Sequence, residues 1–115
     1  MTTFLGRHSE ADDHIAQLVW LGHDVRVVSG GDDKAGVLEA FATGLDLPDW
    51  FGHNWDALLD ALRDLDAPRG VPIELVWDHA ASLRARDRTA FDTVVDILEQ
   101  VADERDDLHV TVVTR

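Results

Sequence analysis

At 115 residues and 12.8 kDa, with 45% hydrophobic residues, the chain can fill one core and is too short for two domains. Ten Lys and Arg stand against 23 Asp and Glu, giving a net charge of −13 and a pI near 4.5, so free nucleic acid and anionic membrane are repelled and a basic partner is the natural counterpart. The absence of cysteine excludes disulfides, thiol nucleophiles and Cys-ligated zinc. No apolar run approaches the roughly 20 residues of a membrane span, and the first residues, Met1 to Arg7, are too few and too polar for a secretory leader. A soluble cytoplasmic protein is expected.

In chain order, a helix from about 10 to 21 offers Ala11, Ile15, Leu18 and Val19 on one face and stops at Gly22. Val25 to Val28 has the β-branched character of a strand. A helix over 34–44 turns Val37, Leu38 and Phe41 inward, with Asp32 or Asp33 as its cap, and another helix runs from about 55 to 65. The stretch from Ala67 to Pro72 reads as a loop and leads to a second strand, Ile73 to Trp77. Phe91, Val94, Val95, Leu98 and Val101 then form the stripe of a helix packed on one side, and Leu108 to Val113 is the last strand. Helical crossovers imply parallel strands. The expected architecture is α/β: a small three-stranded parallel sheet packed with helices in a domain spanning 24–115, preceded by an extension over 1–23 that forms one helix against it.

The most informative stretch is Leu47-Pro48-Asp49-Trp50-Phe51-Gly52-His53-Asn54-Trp55-Asp56-Ala57-Leu58-Leu59-Asp60. Pro48 stiffens the approach, Gly52 is suited to a positive φ, and Asn54 is a good cap for a helix opening at Trp55. On a wheel at about 100° per residue, Leu58, Leu62 and Leu65 share a buried stripe with Trp55, while Asp56, Asp60 and Asp64 share the opposite face within about 80°. Like charges one turn apart cost roughly 0.2–0.5 kcal/mol per pair. Arg63 is the only base on this helix to offset them. Asp56 in the first turn suits the helix dipole, whereas Asp60 and Asp64 lie too far along for that. A row of acids beside Trp50 and Phe51 suits recognition of a cationic cleft with an adjacent pocket for a ring.

This segment resembles the signature of the barstar family of ribonuclease inhibitors, and a looser similarity in the order of elements extends from Val25 to Val113. The resemblance implies a barstar-like fold and an immunity or antitoxin-type activity: binding a small basic ribonuclease and plugging its active site, with carboxylates standing in for substrate phosphates. Carried over by position, Asp60 is the central phosphate-mimicking acid and Asp56 the acid one turn earlier. Trp50 is an aromatic that packs on the catalytic histidine, and Gly52, His53 and Asn54 form the contacting turn. Three positions depart from the family pattern: Trp50 stands for a tyrosine, Leu59 for a tryptophan between the two acids, and Gln100 for an interface glutamate, with Glu99 and Glu104 nearby. These changes point to a different partner within the same mode of binding. The free inhibitor is expected to be a monomer without cofactor.

Two rival readings compete with that one. The first is an acidic interaction module of the same fold that inhibits no nuclease. The second is a Mg²⁺-dependent phospho-accepting receiver-like domain built on Asp32, Asp33 and Asp78; it needs more strands and a lysine after the last strand, and Lys34 is the chain's one lysine. The six histidines, His8, His14, His23, His53, His79 and His109, show no metal-ligand spacing, and His53 beside Asp56 has no nucleophile or oxyanion donor in reach of sequence. Neither catalysis nor a metal is expected.

Overall fold

The structure, a computed structural model, describes residues 2–6, 8–48 and 51–115. In chain order the elements are β1 (Thr2–Leu5), α1 (His8–Trp20), β2 (Asp24–Ser29), α2 (Lys34–Gly44), α3 (Trp55–Arg63), β3 (Ile73–Asp78), α4 (Ala81–Arg86), α5 (Arg88–Glu104) and β4 (Leu108–Val113). The sheet has four strands, all parallel, in the order β1-β4-β3-β2. This corrects the expectation of three. Thr2–Leu5 is too short and too mixed in polarity to announce itself as a strand, yet it pairs with β4 from Thr2 opposite Val110 to Leu5 opposite Val113. The short helix α4 was equally silent in the sequence.

The core explains the layering. Every residue of β3 is buried, as in a strand covered on both faces. On one face Ile73, Leu75 and Trp77 meet Val37, Leu38 and Phe41 of α2, Leu58 and Leu62 of α3, and Val94, Leu98 and Val101 of α5. The Trp77 ring lies between Phe41 and Phe91, at 6.1 and 5.5 Å between centroids. On the other face Val76 and Val113 pack with Ala11 of α1, flanked by Ile15 and Val25. The chain steps from β2 to β3 to β4 in one direction with its helices on the first face. It runs from β1 to β2 the opposite way with α1 on the second face, as right-handed crossovers require.

The face under α1 is the more polar one. Glu74, 4% exposed, accepts from His23 Nδ1 and His109 Nδ1 at 2.9 Å each, and His14 Nε2 meets Thr111 Oγ1 at 3.1 Å. Val19, expected to face inward, is 60% exposed, because Leu18 rather than Val19 takes the buried position at this end of the helix.

Gly44 marks where α2 closes on β2. A Cβ there would stand 3.0 Å from the Val27 carbonyl oxygen and 3.2 Å from Val28 Cα, both backbone, so only glycine lets the layers approach this closely. Beyond it Asp46 adopts a left-handed φ of 51°. The Asp46 N–H donates to Thr43 O and the Leu47 N–H to Ala42 O, the double closure of a Schellman motif, which fixes the direction in which the chain leaves for Leu47 and Pro48.

Candidate protein-interaction site

Helix α3 is short, so packing and capping must hold it. Leu58 and Leu62 are 0% and 1% exposed, and the half-buried Trp55, Leu59 and Leu65 pack against the same core. At its start the Asn54 side chain accepts from the Ala57 N–H at 2.8 Å, the cap the sequence foresaw. At its end Arg105 donates to the carbonyls of Leu62 and Arg63, at 3.0 and 3.3 Å, placing a cation where the helix dipole favours one.

The turn before α3 is built differently from the expectation. Gly52 does not have a positive φ; the left-handed residue is His53, at φ 48°. The strain is offset locally. His53 Nδ1 lies 2.9 Å from Phe51 O, Nε2 lies 2.9 Å from Glu39 Oε2 of α2, and the imidazole sits 4.9 Å from the Phe51 ring. Gly52 matters for space instead. A Cβ there would come within 3.2 Å of Asn54 Nδ2, which itself donates to the Gly52 carbonyl. Phe51, 5% exposed, anchors the turn in the core.

Asp56 and Asp60 lie on the exposed side of α3, and Asp64 is its exposed C-cap. Among the described residues none of the three carboxylates makes a side-chain hydrogen bond or ion pair. Arg63 feels the charge of Asp60 but is committed elsewhere: its Nε and Nη2 grip Glu104 of α5 at 2.8 and 2.7 Å. That fork, together with a bond from Gln100 Nε2 at 3.2 Å, holds the Glu104 carboxyl at about 2, well below its ordinary value. Thus α3 and α5 are clamped by a charged pair while the acid ridge is left free.

Of the residues singled out in the sequence, Gly52, His53, Asn54, Asp56, Leu59 and Asp60 come together on this turn and helix, and Gln100 sits on α5 beside the Arg63–Glu104 pair. Trp50 lies outside the described residues, as does Asp49. Asp32, Asp33 and Asp78 do not make a receiver-like centre. Asp33 caps α2 by accepting from the Gly36 N–H at 2.7 Å, and Asp78 is gripped by Arg115. No group of three His, Cys, Asp or Glu suited to a metal occurs among the described residues.

The surroundings of α3 hold more acid than its own spacing reveals. Asp46 and Asp66 join Asp60 and Asp64 around a groove of about 650 Å³ between α3, the α2–α3 connection and the edge of β2. Nothing in the sequence signals this, because Asp46 is brought there by the Schellman turn and Asp66 by the chain leaving α3.

Compared with known proteins, residues 23–114 match the sequence profile of the family described as Barstar (barnase inhibitor). No match was found among curated proteins.

Proposed function

Because the chain belongs to the barstar family, we propose that it inhibits a small basic ribonuclease by lodging the carboxylates of α3 in the enzyme's cationic active site. The observation that carries this reading is the ridge of Asp56, Asp60 and Asp64, exposed and without an ion pair among the described residues, in a structure that pairs many of its other acids. In a ribonuclease cleft the cations that bind phosphates would meet Asp60 at the centre and Asp56 one turn earlier through charge-assisted hydrogen bonds. Preorganisation supports this. Leu58 and Leu62 lock the helix and Asn54 caps it, so little order has to be gained when the carboxylates dock.

The turn of Gly52, His53 and Asn54 borders the contact on one side, and Leu59 and Gln100 border it on the other; Trp50 joins them on the family resemblance alone. Leu59 supplies an apolar contact without a ring, and Gln100 an uncharged amide where the family carries a glutamate. The partner is therefore a barnase-type ribonuclease with a less basic surface facing α5. The protein acts in the cytoplasm of the producing cell as an immunity factor, is a monomer when free, and performs no catalysis.

The test is inhibition of RNA cleavage by a purified barnase-type ribonuclease, followed with a fluorogenic oligonucleotide as the chain is titrated in. Stoichiometric inhibition is expected. A chain that binds a basic protein without slowing cleavage would leave the non-inhibitory interaction module as the better reading.

A further inference from the structure

The turn that leads into α3 is held at three points, and each point belongs to a different part of the fold. Phe51 is sunk in the core, and its N–H donates to Pro48 O at 2.9 Å. Asn54 caps α3 through the Ala57 N–H. His53, between them, is tied to α2: its Nε2 lies 2.9 Å from Glu39 Oε2, midway along a helix whose place is fixed by the buried Val37, Leu38 and Phe41. Among the described residues three without a glycine's freedom have a left-handed φ: Asp46, His53 and His79. Asp46 is closed by the backbone bonds of a helix end, and His79 follows Asp78, whose carboxylate accepts from its amide at 2.7 Å. Of the three, His53 alone is held there by a side chain from a separate helix. A residue with a Cβ occupies that region at a cost, and such strain persists only where the surroundings over-determine it, commonly where a ligand is met.

We infer that Glu39 is a positioning residue for the contact surface: acting through His53, it fixes the turn of Gly52, His53 and Asn54 in the conformation the partner meets, without touching the partner itself. The chemistry of the ring makes the link directional. Phe51 O and the Glu39 carboxylate both accept, so hydrogen on Nε2 makes the bond to Glu39, and hydrogen on both nitrogens makes the two contacts at once. With the Phe51 ring at 4.9 Å on one side, the imidazole then spans from the turn to α2 and can leave the backbone in one direction only. Without Glu39 the ring keeps only Phe51, two residues away on the same turn, and nothing outside the turn opposes its return to negative φ. Glu39 has no other partner among the described residues, and its side chain is 69% exposed against 45% for His53. A pair so exposed adds little to global stability. Its weight falls on local order: a turn already shaped for docking has less conformational freedom to lose when the partner arrives.

The inference rests on the reading of this turn as part of a ribonuclease-binding surface, and two separate measurements keep the two apart. The first needs no partner. The one-bond Cα–Hα coupling of residue 53, read by NMR in the full chain, reports the sign of φ. Glu39→Ala should move residue 53 away from left-handed values, whereas Glu39→Gln, whose amide oxygen still accepts from Nε2, should keep them, with thermal midpoints close to that of wild type in both. The second is affinity for the barnase-type ribonuclease. Glu39→Ala should bind roughly two- to five-fold more weakly, the scale of an exposed pair. Glu39→Gln should recover most of that loss, which separates the bond from the removal of one negative charge facing a basic protein. In a His53→Gly background, where glycine takes the left-handed φ unaided, Glu39→Ala and Glu39→Gln should bind alike. If no ribonuclease is bound while residue 53 still responds to Glu39→Ala, the ribonuclease reading falls and Glu39 remains the residue that shapes the turn. An unmoved φ in Glu39→Ala overturns the inference. So do wild-type affinity in Glu39→Ala, equal losses in Glu39→Ala and Glu39→Gln, and a gap between those two variants that persists in the His53→Gly background.

Discussion

Asp60 and Asp78 are aspartates of one acidic chain in opposite settings. Asp78 ends the central strand β3, 5% exposed, and its carboxylate takes Arg115 Nε and Nη2 at 2.9 and 2.7 Å and the His79 N–H at 2.7 Å. Burial pushes this carboxyl up, but the Arg115 guanidinium and the His79 amide outweigh it and hold it below the ordinary range. Asp60 stands on an exposed helix face with no partner among the described residues. A carboxylate whose hydrogen bonds are all satisfied inside the fold contributes to stability. One left open on a rigid support is hydrated by solvent and remains available to a cation from outside the fold.

The largest effect expected is on binding. If Asp60 meets the partner's cations as proposed, Asp60→Ala leaves those desolvated cations without their anion, which costs about 3–5 kcal/mol of affinity by the penalty for breaking a buried charge pair. Alanine is the better helix former and relieves repulsion from Asp56 and Asp64, so the folded state holds or gains slightly. Paired calorimetric titration and thermal unfolding read both quantities, and unchanged affinity for the ribonuclease would sink the assignment of Asp60 as the central contact.

Asp78→Ala should do the reverse. Losing charge-assisted hydrogen bonds at a buried carboxylate costs roughly 1.5–3 kcal/mol of stability, and at a constant native fraction the partner affinity stays that of wild type. Near-equal losses in both measurements would mean that the two aspartates are not separated in function as the geometry separates them.

Asn54 stands between these cases, since it caps α3 and borders the proposed contact. Asn54→Ala should lower stability by about 1 kcal/mol, the usual loss of an N-cap. Asn54→Ser or Asn54→Asp keeps the cap and should restore the thermal midpoint. If affinity returns with the cap, Asn54 acts by positioning the helix; if affinity stays low while stability is restored, its amide touches the partner.

What the sequence revealed follows the same division. Local chemistry was legible: the apolar stripes of α2, α3 and α5, the caps Asn54 and Asp33, and the acid row on α3 each depend on residues within a turn or two of one another. Long-range pairing was not. The strand Thr2–Leu5 exists because β4 offers it an edge about 108 residues away, and four residues carry too little pattern to announce that. The turn before α3 was read with the right rigidity and the wrong residue. Glycine is the ordinary occupant of positive φ, and His53 takes that conformation where its ring is held by Phe51 and by Glu39, the latter reached only through the packing of α2. The groove beside Asp64 was hidden for a similar reason, since it is closed by residues from the α2–α3 connection and from β2.

The smallest expected effect concerns the clamp between α3 and α5, and it is read through pH. Glu104 has a carboxyl near 2 in the folded chain against an ordinary value of 4.5, because Arg63, and to a lesser degree Gln100, bond its charged form. The unfolded chain therefore binds the Glu104 proton at a higher pH than the folded chain does. The pair's contribution to stability is complete above pH about 4.5 and is lost as pH falls toward about 2. Glu104→Gln lacks that proton and that contribution. Thermal midpoints of wild type and Glu104→Gln should differ most near neutral pH and converge through the acid range, while Asp78 and Asp107, also held low by their arginines, make both proteins fall together. Both partners are solvent-accessible, so the difference should shrink in concentrated salt. A gap that stays constant from neutral pH down to about 2.5 would show that the Arg63–Glu104 fork is geometry without energetic weight, and the ridge on α3 would then be held by its buried leucines and its cap alone.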